Sequence, residues 1–401
     1  MKPKAILVDV IPKETSKQEA ETRLKELEQL INTYGGVAVI KIFQKRGLPD
    51  YETYIGKGKV KEIIEIAKEE DARLVILNNI AKPAQIYNLS ERMRKDTKAE
   101  VWDRVDLILN IFDKHAKSAE AKLQIELAKI RHMGPRISGM GTELMRQEGR
   151  TGVRSGQGES NIEMMKRHLR TQELKILEKL KHYETINEGH RKRRQRQNFH
   201  TAALVGYTNA GKSTIMQALT GKKVYIANEL FATLDTRVAK VYMPEHQSEL
   251  LISDTIGFIQ DLPPSLIKAF KSTLSETVEA DLILHVIDAS DPQMEMKIQV
   301  VEDILKQLKA DKKPKIYIFN KTDLVNLQEQ APGEPEQIRP IGLMVAGKQT
   351  AKILGWQDKD TPHLSLQEIK TKYSKYTPIF ISALDKGSKD QLKNVLTKRL
   401  K

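Results

Sequence analysis

The sequence predicts an α/β protein in three stretches. A small N-terminal α/β domain covers 1–105, a long helical hairpin covers 106–198, and a second α/β domain covers 199–401 with a mostly parallel, doubly wound sheet. Three observations carry this. Strand-length apolar runs alternate with helical patterns at both ends of the chain, as parallel sheets require. The middle lacks strand signals and keeps an apolar seam at helical spacing. A glycine-rich loop joins the first strand of the last stretch to a helix.

Taken in order, "KAILVDVI" is a strand, and the helix "SKQEAETRLKELEQLINTYGG" stops at Gly35 and Gly36. Strands "VAVIKIFQKR", "ARLVILNN" and "AEVWDRV" then alternate with helices "KGKVKEIIEIAKEED" and "PAQIYNLSERMRKDT". From Asp106 the pattern changes, and Leu123, Leu127 and Ile130 recur at helical spacing. Residues 134–160 are rich in Gly, Arg and Ser and read as an exposed loop. Beyond them Ile162, Met165, Leu169, Ile176, Leu180 and Tyr183 hold a seam near period 3.5, so two helices are expected to pair antiparallel. From Phe199 the runs "HTAALVG", "SELLISD", "ADLILHVIDAS", "KPKIYIFN" and "YTPIFISA" are near-continuously apolar, as strands covered on both faces are.

The bulk numbers suit this division. A chain of 401 residues exceeds what one core holds, and 39% hydrophobic with 30% charged residues is a globular balance. The net charge of +14 favours polyanionic partners. The absence of cysteine excludes disulfides, thiol catalysis and cysteine-bound metals. No run of about 18 apolar residues exists, and Asp9 interrupts the first apolar stretch, so neither a membrane span nor a leader is expected and a cytoplasmic location is.

"GYTNAGKS" follows a strand and opens a helix, the context a phosphate loop needs. Its residues Gly206, Tyr207, Thr208, Asn209, Ala210, Gly211, Lys212 and Ser213, with Thr214 after them, are expected to wrap phosphates with backbone amides at a helix N-terminus. Lys212 would reach the β- and γ-phosphates, and Ser213 a magnesium ion. Asp254, ending an apolar strand, would hold the same ion through a water, and the Gly257 amide would meet the γ-phosphate. "NKTD" supplies Asn320 to brace the loop, Lys321 to lie along the base, and Asp323 to accept from the donor pair that guanine has and adenine lacks. "SAL", Ser382, Ala383 and Leu384, could offer the Ala383 amide to the guanine carbonyl. GTP or GDP is therefore the expected ligand. Phe258 stands where many nucleotide switches have the glutamine that orients water.

"NELFATLDTRV", "LISDTIGFIQDLPPSLIKAFKSTLSET", "LILHVIDASDP" and "FNKTD" resemble the core of the HflX family of ribosome-associated GTPases. "TYIGKGKVKEI", "GPRISG" and "SGQGESNIEMMKRHLRTQ" resemble its N-terminal domain and linker helices, so the resemblance spans roughly residues 35–325. It implies a P-loop GTPase domain, magnesium as cofactor, and a monomer that docks on the large ribosomal subunit and its RNA to split or rescue stalled ribosomes. Arg136, Arg146, Arg150 and Arg154, and the basic run 190–197, would contact RNA phosphates. The first switch implies Phe231 near the nucleotide and Thr233 on magnesium, with Thr236 the other candidate. Asn209 either holds a potassium ion near the phosphates or only tolerates the loop geometry. Lys212, Asn209 and Gly257 are the expected catalytic groups. Residues 325–375 read as an insertion in that domain. Two other readings remain: a different RNA-processing or ribosome-assembly GTPase, and a GTP-holding switch that does not hydrolyse.

Overall fold

The computed structural model describes residues 2–148, 156–197, 199–221, 230–231, 237–243, 248–260, 266, 274–329 and 365–399. The first sheet is wholly parallel in the order β2-β1-β3-β4, from β1 Lys4–Ile11, β2 Val37–Lys45, β3 Leu74–Leu77 and β4 Glu100–Asp103. Helices cover both faces, so Ile6, Leu7 and Val8 are all buried in β1. Helix α1, Lys17–Tyr34, begins where the Ser16 side chain accepts from the Glu19 N–H and ends on Gly35 at φ 92, whose N–H and that of Gly36 close the last carbonyls. Helices α2, Lys57–Glu69, and α3, Pro83–Arg94, bury Ile63, Ile86 and Leu89 against the other face.

Helix α4, Arg104–His115, follows β4 with no loop between, because Asp103 and Asp106 form a capping box. The expected boundary at 105/106 therefore falls inside a helix. Leu107, Ile108, Ile111 and Phe112 pack with Leu27, Leu30 and Ile31 of α1, so α4 belongs to the first core.

Helices α5, Ala119–Glu148, and α6, Gly156–Arg196, form the paired helices of the middle region. Leu127, Ile130 and Ile176 bury one another, supported by Leu123, Leu169 and Leu180. The loop expected over 134–160 is corrected here: the chain stays helical to Glu148 and is helical again from Gly156. Extending a helix already nucleated and packed costs little per residue, even where glycines and serines weaken it. Arg150 and Arg154, and the side chains of Arg136 and Arg146, lie outside the described residues. Among the described residues no helix is long and apolar enough to cross a membrane.

The second sheet has the order β10-β9-β8-β5-β7-β6. Its strands are β5 His200–Gly206, β6 Arg237–Met243, β7 Ser248–Asp254, β8 Leu282–Asp288, β9 Lys315–Asn320 and β10 Ile379–Phe380. All pair in parallel except β6, an antiparallel edge strand missing from the sequence reading. Ala239 and Val241 are its buried residues among those described, too small an alternation to stand out. Helices α7 Lys212–Thr220, α8 Ser275–Glu279, α9 Met294–Gln307, α10 Thr322–Glu329, α11 Leu366–Lys372 and α12 Lys386–Arg399 connect or flank the strands. Of the expected insertion, residues 330–364 lie outside the described residues. One apolar cluster runs from α1 and α4 into the second domain, where it takes in Phe231, Ile256, Phe258 and Ile259.

Candidate nucleotide site

The phosphate loop leaves the middle of the second sheet, between β7 and β8. A Cβ at Gly206 would collide with the Val286 carbonyl, and one at Gly211, where φ is +96, with the Asn320 amide nitrogen. Only glycine allows both approaches. Helix α7 starts at Lys212, so its first N–H groups, including that of Thr214, face the loop's concave side. Lys212 is buried and its Nζ donates to the Gly206 and Tyr207 carbonyls at 3.1 and 2.9 Å. Burial pulls its pKa down to about 8, against the opposing charge of Asp254.

Asp254 is fully buried at the end of β7 and its Oδ2 accepts from Ser213 Oγ at 2.7 Å. A hydroxyl and a carboxylate meeting at a phosphate loop are the hard oxygen donors that suit magnesium. The donor set thus fits the ion implied by the sequence. Thr233 and Thr236 lie outside the described residues. Asp103, Asp106 and His132 form a second group with metal-ligand spacing, far along the chain from this one. Burial lowers the His132 pKa, but hydrogen bonds and charge from Asp103 and Asp106 outweigh it and raise it to about 9. When protonated, the imidazole pairs with Asp103 Oδ1 at 3.4 Å and Asp106 Oδ1 at 3.2 Å.

Asn320 joins the two halves of the expected site. Its Nδ2 donates to the Ala210 carbonyl at 2.9 Å, and its Oδ1 accepts from the Ala383 N–H at 3.0 Å. The loop, "NKTD" and "SAL" therefore meet through one buried side chain. The Ala383 amide, expected on the guanine carbonyl, instead donates to Asn320 in this structure. Lys321 pairs with Asp288 Oδ2 at 2.7 Å, a partner that the sequence reading did not identify. Asp323 lies half-buried in the first turn of α10. Ser382 donates its N–H to Ser388 Oγ, while the Leu384 side chain is 82% exposed. Asn209 is exposed with φ 62, a conformation asparagine tolerates better than most residues.

Two phenylalanines beside the site have buried side chains. Phe231, placed near the nucleotide by resemblance, is only 2% exposed and packs edge-on against Phe112 of α4 at 4.6 Å. An apolar ring gains more from that core than from a phosphate site. Phe258 is also 2% exposed, so its side chain is a core group. Its backbone does the work at the site: its N–H donates to the Gly206 carbonyl at 3.1 Å, and its carbonyl accepts from Thr208 N–H at 2.8 Å. Gly257 beside it packs so closely that a Cβ would stand 2.8 Å from Thr208 Cγ2 and 3.0 Å from Lys212 Nζ.

Three family models match the chain in succession. Residues 21–113 match the family model described as GTP-binding GTPase N-terminal, 115–194 the GTP-binding GTPase Middle Region, and 201–321 the 50S ribosome-binding GTPase. The chain is 42% identical over 326 residues to a protein of Caldanaerobacter subterraneus subsp. tengcongensis named GTPase HflX, covering 81% of this chain and 74% of that protein. It is 38% identical over 330 residues to GTPase HflX of Escherichia coli, covering 82% and 76%. The solved complex of SsGBP with GDP has a similar fold, with a TM-score of 0.50 at 21% identity over 99% of this chain and 98% of that one.

Proposed function

The chain belongs to the HflX family of GTPases, and from that premise we propose that it hydrolyses GTP slowly alone, faster on the large ribosomal subunit, and there splits or rescues stalled ribosomes. The observation that carries the reading is Asn320, which ties the phosphate loop to the base-reading turn and so makes one site of two distant motifs. Asp323 accepts from the guanine N1–H and exocyclic amine, while Lys321, steered by Asp288, lies along the base. The α7 amides and Lys212 hold the phosphates, and the Gly257 N–H faces the γ-phosphate. Ser213, Asp254 and a switch threonine, Thr233 by sequence, would hold a magnesium ion, which would supply positive charge against the phosphates.

The residue 258 side chain is buried, so the attacking water would be placed by the backbone, by an ion at Asn209 or by the ribosome. A potassium ion at Asn209 would supply further positive charge next to the phosphates. Turnover in potassium then exceeds turnover in sodium, and equal rates remove the ion from the account. Basic side chains along the helical middle region, in a cytoplasmic monomer, would engage ribosomal RNA phosphates.

Pelleting with purified large subunits tests the docking. The chain should co-sediment with a non-hydrolysable GTP analogue, less so with GDP, and progressively less as salt rises. Equal pelleting with the two nucleotides would refute a GTP-controlled docking step.

A further inference from the structure

A chain of buried and part-buried polar contacts crosses from the first domain to the phosphate loop. Asp9 in β1 and Asn78 just after β3 stand at the carboxyl ends of neighbouring strands, where the order β2-β1-β3-β4 reverses direction. Open α/β sheets place ligands at such switch points. Here the polar groups are paired internally: Arg23 Nε and Asn78 Nδ2 each donate to Asp9 Oδ2 at 2.9 Å. Asn78 Oδ1 in turn accepts from Arg104 Nη1 at 2.8 Å. Arg104, 3% exposed, then reaches outward from the first domain. Its Nη2 donates to Glu26 Oε1 of α1 at 2.9 Å and, more weakly, to the Gln260 carbonyl at 3.4 Å. The Tyr207 hydroxyl donates to the same Glu26 Oε1 at 3.0 Å and accepts from the Gln260 N–H at 2.9 Å. Both backbone groups of Gln260 are thus engaged by side chains.

We infer that Glu26 and Arg104 are positioning residues for the hydrolytic switch, holding the segment after Gly257 against the phosphate loop through Tyr207 and the Gln260 backbone. This rests on the GTP-hydrolysis reading above. The phosphate-loop pattern leaves position 207 open, so phosphate binding does not require a tyrosine there. The hydroxyl works on the far side of the loop, toward the first domain. Phe258 is stitched to Gly206 and Thr208 by its backbone, and Gln260 to Tyr207 by its N–H, so two anchors fix the segment that begins at Gly257. The N-terminal domain supplies the outer one. Leu230, beside the other switch, also donates its N–H to Thr33 Oγ1 of α1 at 3.1 Å, so a second contact from α1 reaches the nucleotide domain. A γ-phosphate that depends on the Gly257 amide feels this hold, whereas GDP does not.

Tyr207→Phe keeps the ring and removes only the hydroxyl, and Glu26→Gln removes the charge that both partners share. Each should lower kcat for intrinsic GTP turnover by about tenfold, as small displacements at a reacting centre do. The GDP dissociation constant should stay within about twofold and the thermal midpoint should fall little. The double variant should be no worse than the poorer single one, since the two act through one contact. An unchanged kcat in both variants would overturn the inference. So would a fall in kcat that GDP affinity and thermal midpoint follow in proportion, since that is the mark of a merely structural role. If the unaltered protein turns over no GTP, the hydrolysis reading itself fails. The ratio of non-hydrolysable-analogue to GDP affinity then decides: it should fall in both variants, and an unchanged ratio overturns the positioning role.

Discussion

The molecule holds two parallel sheets whose carboxyl edges have opposite fates. In the second sheet the edge after β5 is a glycine loop, with amides and one lysine gathered around a concave space. In the first, the corresponding edge carries Asp9, Asn78 and Arg104, which satisfy one another and pass the leftover charge to Glu26. The architecture is shared; the edge chemistry decides whether a sheet receives a ligand or braces a neighbour. Glycines leave backbone donors open to phosphate, whereas buried side chains close on themselves because an unpaired buried charge is costly.

Substitutions at the two edges should therefore cross over. Lys212→Ala removes the buried ammonium at the phosphate loop and should lower GTP turnover by about 10²–10³-fold, the loss seen when one preorganised electrostatic group is deleted. Its thermal midpoint should change little. Asp9→Ala should do the reverse, costing stability in denaturant titration at about 1–3 kcal/mol for each partner, Arg23 and Asn78, that loses the buried carboxylate. A loss of turnover from Asp9→Ala without a loss of stability would break the contrast.

Asn320→Ala should show both effects together. It strips the Ala210 carbonyl and the Ala383 N–H of their shared partner, at about 1–3 kcal/mol per buried group left unpaired. GTP affinity should fall with stability, as measured by nucleotide titration and thermal melting.

The pH responses sharpen the same contrast. In the free protein Lys212 titrates near pH 8, and bound phosphates need it charged. Nucleotide binding then raises its pKa and takes up a proton, so affinity is full below about pH 8 and falls by up to about tenfold per unit above it. A flat GDP affinity between pH 7 and 9.5 would contradict this. The smallest effect belongs to His132 in the first half of the molecule. Its folded pKa of about 9 exceeds the ordinary 6.5, so its ion pair stabilises fully below pH 6.5 and is lost as pH rises through 9. The stability gap between the protein and His132→Gln, on the order of 1 kcal/mol, should close over that window.

Most strands of both sheets, the phosphate loop and the link from Asn320 to the loop were legible in the sequence, because each is a local pattern: apolar runs, glycine spacing, a short polar motif after a strand. What stayed hidden depends on contacts between distant segments. The burial of Phe231 against Phe112 was not legible because it exists only once the two domains meet. Residues 134–160 read as a loop because composition registers Gly, Arg and Ser but not the packed helix that α5 extends. The Asp288 partner of Lys321 and the Arg104 chain follow no spacing rule, since strand order alone brings them together. The meaning of Phe258 changed most: a residue that stood where a catalytic glutamine could be is a core side chain whose backbone binds the phosphate loop.

The most direct test is GTP turnover by the purified chain with and without large ribosomal subunits, in potassium and magnesium. The account predicts slow turnover alone and a marked rise with subunits, abolished by Lys212→Ala. Equal rates with and without subunits would contradict it.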